Sequence, residues 1–261
     1  MNEETRDKQQ VASTKSNVPA NLTSLFLEDA GAGLENLNKD DLALPFLKLL
    51  QGTSYETKKK HANYVEGAEA GMFYNTVSKK LYPAGNGEKG VDVIPCFYKL
   101  KFPEWAPFEK SEGRPIHPDR GVEILSQTKK NDRNQDVLPN GNIIIKTANH
   151  FVIIIGDRPT KALIAMKSTQ LKVSRQWNSN IQNEFEIDPK TKKALPAPIY
   201  SRIYRLKSVE QIGSFTWHGY SVNLVKKVED MSLYQMAKEF RNHLKNSEIK
   251  AQQTKEESSN F

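Results

Sequence analysis

From Gly71 onward the sequence is a succession of short apolar or alternating segments separated by turn signals, and this pattern constrains the fold more than any other feature. The turn signals include Asn140-Gly141 and Gly156-Asp157, and the short segment 147–150 predicts a hairpin connection. The predicted strands are residues 72–77, 91–98, 122–126, 142–147, 151–156, 162–167, 199–207 and 214–228. Many short strands joined by turns are typical of a β-sandwich or a small barrel, whose closure removes exposed edge strands. The chain is therefore predicted to be mainly β, of the α+β class.

Helical patterns occur before and after these strands. The predicted helices are residues 21–30, 40–50, 168–182 and 230–245. In the third, Val173, Trp177 and Ile181 recur at helical spacing, so this face packs on the core while the opposite face offers cations. Asp230 is a suitable N-cap for the fourth helix. These helices are expected to lie at the periphery of the β core.

Changes in composition predict three regions along the chain. Residues 1–20 are polar and poor in aromatic side chains, which predicts a disordered segment. Residues 21–245 are predicted to form one globular domain with two long loops, near 101–121 and 129–142. Residues 246–261 are polar and are predicted to form a flexible C-terminal tail.

The sequence lacks the motifs of the common enzyme and metal-binding classes. Cys96 is the single cysteine, so it forms no internal disulfide and no zinc cluster of cysteines. The five histidines lie far apart, and no glycine-rich phosphate motif occurs. We therefore predict a non-enzymatic protein with no catalytic residues, no metal and no cofactor. Glu184, Glu186 and Asp188 loosely match the metal-binding strand of some nucleases, so a metal-dependent nuclease is kept as a less favoured alternative.

The sequence also predicts the compartment. Residues 1–15 are polar and charged and do not match a secretory signal, and the longest apolar run, 151–155, is too short to span a bilayer. We therefore predict a cytoplasmic protein with no membrane partner. The sequence leaves monomers and oligomers both open.

Residues 161–207 are strongly basic and carry interleaved aromatic side chains. They hold ten Lys and Arg and three Asp and Glu, so their charge of 10 − 3 = +7 equals the formal net charge of the whole chain, +7. Cations neutralise phosphates, and aromatic faces stack on unpaired bases regardless of sequence. This combination predicts a protein that binds a single-stranded nucleic acid, with DNA and RNA both open. Cations alone do not choose between duplex and single strand, so duplex binding also stays open.

Ten side chains are predicted to contact the nucleic acid. They are Lys167, Lys172, Arg175, Arg202, Tyr204, Arg205, Lys207, Trp105, Trp217 and Tyr220. Within this set, residues 201–207 alternate with period two, so Arg202 and Tyr204 share one strand face while Arg205 and Lys207 share the other. The alternation alone does not choose between the two faces.

The last seven residues, 255–261, combine Glu256 and Glu257 with a terminal Phe261. This arrangement resembles the tail of bacterial and phage OB-type single-stranded-DNA-binding proteins. The resemblance implies an OB-like small barrel with peripheral helices, and a mobile tail whose two acids and Phe261 bind replication or recombination proteins. The chain departs from that family in having only two acids where a longer acidic run is usual, which weakens the expectation that the tail competes with DNA.

Segments 44–51 and 71–76 resemble proteins from the replication regions of tailed phages, which implies a phage origin and action in the host cytoplasm. Together, these features predict a largely sequence-independent single-stranded-DNA-binding protein of phage replication or recombination. The alternative from a different class is a non-enzymatic virion, assembly or protein-interaction protein, in which the basic stretch is only a solvated surface.

Overall fold

The computed structural model describes residues 22, 24–25, 28–29, 32, 44–85, 90–110, 113–213 and 215–258, with backbone alone at 108 and 247–258. The chain divides into two compact units, residues 1–43 and 44–261. In the first unit Leu22, Ser24, Leu25 and Glu28 are helical, within the predicted helix 21–30. The predicted disordered segment 1–20 and the terminal Phe261 lie outside the described residues.

The second unit is built from short strands and two long helices. The strands are β1 (Leu47–Leu49), β2 (Phe73–Asn75), β3 (Leu81–Tyr82), β4 (Val91–Lys101), β5 (Glu104–Trp105), β6 (Lys129–Lys130), β7 (Asp136–Val137), β8 (Ile143–Ile144), β9 (Thr147–Ile154), β10 (Thr160–Lys167), β11 (Phe185–Ile187), β12 (Ala194–Pro196), β13 (Arg202–Ile212) and β14 (Thr216–Lys227). The helices are α1 (Gln170–Gln182) and α2 (Met231–Ser258). Short 3₁₀ helices occupy Tyr55–Thr57, Phe108–Lys110, Val122–Gln127 and Ile199–Ser201. The prediction of a mainly β protein is confirmed.

A five-stranded antiparallel sheet with the order β10-β9-β4-β13-β14 forms the centre of this unit. Four of its strands follow the spatial order of a Greek key, because β13 returns to lie beside β4 after the β4-β9-β10 meander. The helix α1 lies in the connection from β10 to β13, and a hairpin adds β14. Among the described strands, β10 and β14 are not paired with each other, so the strand ladder is open.

Both faces of the central sheet are covered by apolar side chains. On one face Val152, Ile164 and Leu206 pack with the strands β1 and β2 and with Trp177 of α1. On the other face Ile153 packs against Phe240 of α2. Full burial of each large apolar side chain contributes about 1.5–3 kcal/mol, so these two layers hold the sheet and both helices together.

Three smaller sheets surround the central one. The strands β1, β2 and β3 form an antiparallel sheet, and β11 pairs with β12 in a separate hairpin. The long connection between β4 and β9 folds into a four-stranded sheet with the order β5-β8-β7-β6. The two predicted long loops therefore contain short strands, including the one that carries Trp105.

The segment around β1 lies between the two edges of the central sheet. At the β10 edge, the backbone N–H of Leu163 donates to the carbonyl oxygen of Pro45 over 2.8 Å. At the β14 edge, the side-chain amide of Gln51 donates to the carbonyl oxygen of His218 over 3.0 Å and accepts from the His218 N–H over 2.8 Å. We call this two-bond contact the Gln51 clasp, because one side chain connects β14 to the end of the β1 segment.

Three local predictions are wrong. Residues 40–50 were predicted to be helical, yet Leu47 and Leu49 alternate in strand β1 and bury their side chains. Residues 122–126 form a 3₁₀ helix instead of a strand. The segment 147–150 is part of β9 rather than a hairpin, because its polar side chains are buried in the sheet.

The two helices that follow the strands match their prediction more closely. Helix α1 ends at Gln182 as predicted, although the side chain of Thr169 makes no capping hydrogen bond. Asp230 caps α2, because its Oδ1 accepts hydrogen bonds from the N–H groups of Ser232 and Leu233. Helix α2 continues to Ser258, beyond the predicted end near 245.

Candidate nucleic-acid interface

A cleft of about 460 Å³ lies where the β13–β14 hairpin approaches the start of α1. Its lining comes from three segments that are distant in sequence. The lining residues are Gln51, Gly52, Thr53, Ala165, Lys167, Ser168, Thr169, Gln170, Phe215, Thr216, Trp217 and His218. We call this the hairpin cleft. It brings together two of the predicted binding residues, Lys167 and Trp217.

One wall of the hairpin cleft is aromatic. The rings of Phe215 and Trp217 are tilted against each other, with their centroids 5.3 Å apart. Phe215 is 69% exposed and Trp217 is partly exposed, so both present ring surface to solvent. A side chain at Gly213 would approach the Trp217 ring to 3.1 Å, which explains a glycine at this position. Phe215 was not among the predicted stacking residues, and its exposure makes it a stronger candidate than most of them.

Lys167 links the hairpin cleft to the sheet that contains Trp105. Its Nζ lies 4.6 Å from the centroid of the Trp105 ring, within the range of a cation–π interaction. Burial lowers the pKa of the Lys167 ammonium below its usual range. The Nε1 of Trp105 is buried, and no described residue accepts its hydrogen bond. Lys167 and Trp105 therefore form one unit at the edge of the cleft.

The exposed face of α1 presents cations without local acids. Lys172 and Arg175 are exposed, and neither makes an ion pair with any residue that the structure describes. Residues 158–183 contain five Lys and Arg and no Asp or Glu. The helix dipole adds positive potential at the start of α1, where no acidic side chain occurs in the first turn. This run without acids is the signal in the sequence that singles out α1 within the wider basic stretch.

Helix α1 is fixed to the sheet by a buried polar contact. The Nε2 of His150 lies 2.8 Å from the Oγ of Ser174, and its ring stacks on Trp177 with centroids 4.4 Å apart. All three side chains are buried. Burial lowers the pKa of His150 to about 3, so this imidazole is neutral at physiological pH. The buried face thus determines which side of α1 points to solvent.

Arg202, Tyr204 and Tyr220 are buried, which corrects their prediction as DNA contacts. The guanidinium of Arg202 binds Glu184 at 2.8 Å and Glu186 at 2.6 Å. The two tyrosines belong to the apolar layer beneath α1, and burial raises the pKa of Tyr204 to about 12. None of these side chains is exposed enough in this conformation to contact a nucleic acid.

The other two predicted cations of β13 lie on the opposite face from Tyr204. Arg205 binds Asp92 through two hydrogen bonds of 2.7 and 2.8 Å, so a carboxylate neutralises its charge. Lys207 is partly exposed, and the pairing register places it on the same face of the hairpin as Trp217. Lys207 is therefore the better candidate of the two.

A family model of the Pam3 phage gp34-like proteins matches residues 13–250. The chain belongs to this family. The family name indicates a bacteriophage origin, in line with the origin implied by segments 44–51 and 71–76. No curated protein and no solved structure matches the chain.

In this gp34-like chain the acids considered for a nuclease stabilise the β11–β12 hairpin. Glu186 binds Lys227 at 2.7 Å in addition to Arg202, and Asp188 accepts a hydrogen bond from the hydroxyl of Thr191. Within the described part of the chain, no group of three or more His, Cys, Asp and Glu side chains is placed to hold a metal ion. No helix among the described residues is long and apolar enough to cross a membrane.

Proposed function

We propose that this gp34-like protein is a non-enzymatic single-stranded-DNA-binding protein that acts in phage replication or recombination in the host cytoplasm. The hairpin cleft binds the strand, and the exposed face of α1 binds its phosphates. Recognition is largely independent of base sequence, because the contacts are stacking and charge neutralisation.

The observation that carries this proposal is where the cleft lies on the Greek-key sheet. OB-type domains are five-stranded, partly open Greek-key barrels that bind oligonucleotides on strands 2 and 3 and on the loops after strands 1 and 4. With β4 as the first strand of this order, β10 is the third and β13 the fourth. Lys167 then lies at the end of the third strand, Trp105 follows the first strand, and Phe215 follows the fourth. The candidate contacts thus fall in the three regions that an OB-like arrangement uses. This correspondence supports an OB-like fold for the chain.

The chemistry of the cleft is consistent with an unpaired strand rather than a duplex. Phe215 and Trp217 offer ring faces to bases, and each stacked base is worth about 1–3 kcal/mol. Lys172 and Arg175 on α1 and Lys207 on β13 offer charge to phosphates. Paired bases in a duplex present edges, not faces, to a protein surface, so the aromatic wall contributes only to binding of unpaired bases.

The test is fluorescence anisotropy with labelled oligo-dT at several salt concentrations, with duplex DNA as competitor. We expect tight binding that duplex does not displace. The Lys172→Ala/Arg175→Ala double variant should bind more weakly. The slope of log K against log salt should become less negative by about 1.4, because each phosphate contact on a single strand contributes about 0.7 to the slope.

The matched control is Lys190→Ala/Lys193→Ala, which removes the same charge from the exposed turn between β11 and β12. This control should leave the slope near that of the wild type. An equal loss in both double variants would show that binding depends on net charge alone, and no binding at low salt would refute the proposal.

The C-terminal tail supplies a proposed second interaction. Glu256, Glu257 and Phe261 would bind replication or recombination proteins, as the resemblance to tailed single-stranded-DNA-binding proteins implies. Deletion of residues 256–261 should then leave oligo-dT affinity unchanged and abolish co-purification with phage replication proteins. Unchanged co-purification would count against this role.

The alternative, a protein-interaction or assembly component, is favoured by one surface. Phe185 and Ile187 share one face of β11 and are each more than half exposed, although Arg202 anchors this hairpin to the sheet. If oligo-dT does not bind, this apolar hairpin is the surface on which to test partner binding, by the Ile187→Ser variant.

A further inference from the structure

The segment 51–65 contributes to the lining of two clefts. Residues 51–53 line the hairpin cleft. Residues 56 and 62–65 line a second cleft of about 510 Å³, whose other lining residues are Tyr74, Thr76 and Lys79. Tyr55 follows Thr53 by two residues, so their Cα atoms lie at most about 7.6 Å apart. One continuous segment therefore connects the hairpin cleft to a second concave surface.

Between its two cleft-lining parts, this segment carries a pair of stacked rings. The ring centroids of Tyr55 and His61 lie 4.1 Å apart, and the ring planes differ by 8°. Tyr55 is 56% exposed and His61 is partly exposed, so both present ring surface to solvent. We call these two rings the Tyr55 platform. An exposed aromatic face stacks on an unpaired base regardless of its identity.

Hydrogen bonds hold the Tyr55 platform in place. The N–H of Lys58 donates to the carbonyl oxygen of Tyr55 over 3.1 Å, and the N–H of His61 donates to that of Lys58 over 2.8 Å. The N–H of Asn63 donates to the Nδ1 of His61 over 3.1 Å, which fixes the orientation of the ring. Groups that are already ordered lose less conformational freedom when they bind, so the platform is suited to contact a ligand as it stands.

The charges beside the Tyr55 platform favour an anionic ligand. The Nζ of Lys58 lies 5.7 Å from the centroid of the Tyr55 ring. Residues 58–60 are three exposed lysines, and no carboxylate of the described residues forms an ion pair with them. The acid within this loop, Glu56, binds Lys48 at 2.9 Å, so a lysine already neutralises it. Exposed rings beside unpaired lysines are the combination that binds unpaired nucleic acid.

We propose that the Tyr55 platform is a second stacking site for the strand that occupies the hairpin cleft. The strand runs from the hairpin cleft along residues 51–53 onto the platform, where the lysines of residues 58–60 bind its phosphates. The second cleft, with the exposed Lys79 in its wall, receives the strand beyond the platform. This inference rests on the proposed function, because the strand must first occupy the hairpin cleft. It assigns the chain a ligand long enough to reach both stacking sites.

The experiment measures fluorescence anisotropy with labelled oligo-dT of about 4 and about 16 nucleotides, the two ends of the range of site sizes for one OB domain. The wild type should bind the longer strand more tightly, because only that strand reaches the platform. Tyr55→Leu should weaken binding of the longer strand about fivefold or more, the equivalent of about 1 kcal/mol or more. The same variant should bind the shorter strand like the wild type, since the hairpin cleft holds it.

The matched control is Phe185→Leu on β11, which removes a ring that is also 56% exposed and lies outside the segment 51–65. Phe185→Leu should bind both strands like the wild type. A second measurement uses the unaltered protein, with photo-cross-linking to the longer strand carrying 5-iodouracil, and we expect adducts on Tyr55 or His61 as well as in the hairpin cleft.

Equal affinities of Tyr55→Leu and Phe185→Leu for the longer strand would overturn the platform and leave the proposed function standing. Adducts confined to the hairpin cleft would have the same meaning. Failure of the wild type to bind either strand would overturn both proposals.

Discussion

Arg202→Ala should destabilise the fold and leave the salt dependence of oligo-dT binding unchanged. The Arg202 side chain is nearly fully buried and donates to Glu184, to Glu186 and to the carbonyl oxygen of Phe185. Removal of one partner of a buried ion pair costs about 3–5 kcal/mol, and a hydrogen bond to a charged group about 1.5–3 kcal/mol. Arg202 therefore connects β13 to the β11–β12 hairpin and is a structural residue.

The two carboxylates moderate this cost. Glu184 is 26% and Glu186 40% exposed, and Glu186 keeps its bond to Lys227, so water and a lysine partly replace the guanidinium. We therefore expect a loss of about 3 kcal/mol in the free energy of unfolding. For a folded unit of this size, that corresponds to a fall in Tm of roughly 6–12 °C.

The assay is thermal unfolding followed by circular dichroism, together with the salt dependence of oligo-dT binding below the transition. Arg205→Ala is the control, because it removes another ion-paired arginine from the same strand. The side chain of Arg205 is 39% exposed, so its ion pair with Asp92 is not buried. Exposed pairs contribute about 1 kcal/mol or less, so its Tm should fall by no more than about 4 °C. A Tm near that of the wild type with a flatter salt slope in Arg202→Ala would refute the burial argument and restore Arg202 as a DNA contact.

Two further predictions concern the core. The pKa of His150 is about 3 in the folded protein and about 6.5 in the unfolded chain, so the unfolded state binds the proton first and stability falls as pH drops below about 6.5. Measured by denaturant unfolding, the free energy of unfolding should fall by about 1.6 kcal/mol more between pH 6.5 and pH 5 in the wild type than in His150→Gln. Parallel losses would contradict a neutral buried imidazole. Gly90 has φ +81°, and a Cβ there would collide with the carbonyl oxygen of Leu206. Gly90→Ala should therefore cost at least about 2 kcal/mol in the same assay, whereas Gly85→Ala, where a Cβ meets nothing, serves as the control.

The sequence predicted the elements in which one pattern extends over many residues. Helix α1 and the strands β13 and β14 are of this kind, because their periodicity and their packing agree. Prediction failed where polar side chains are buried. Asn149 and His150 resemble a turn in the sequence, but Ser174 on α1 satisfies the His150 ring, and that partner is known only from the tertiary structure.

The candidate site was predictable to a similar degree. The alternation in β13 correctly paired Arg202 with Tyr204 on one face and Arg205 with Lys207 on the other. The choice between the faces depends on Glu184 and Glu186, whose hairpin packs beside Arg202 and supplies its counter-charge. Lys167 and the aromatic hairpin belong to opposite edge strands of the sheet, so their approach depends on the coiling of the sheet, a long-range property that local periodicity does not contain.

The Gln51 clasp is a weak point in one wall of the hairpin cleft. It consists of two hydrogen bonds between neutral groups, each of which contributes only about 0.5–1.5 kcal/mol, whereas Leu49 and Phe73 nearby pack with Tyr220 of β14 in the apolar layer. A continuous strand ladder at the same place would resist separation with many more bonds. Both Gln51 and His218 line the cleft, so release of one amide widens the groove while the two apolar layers of the sheet remain packed. One wall of the hairpin cleft can thus shift by the rotation of a single side chain, without any change in the pairing of the strands.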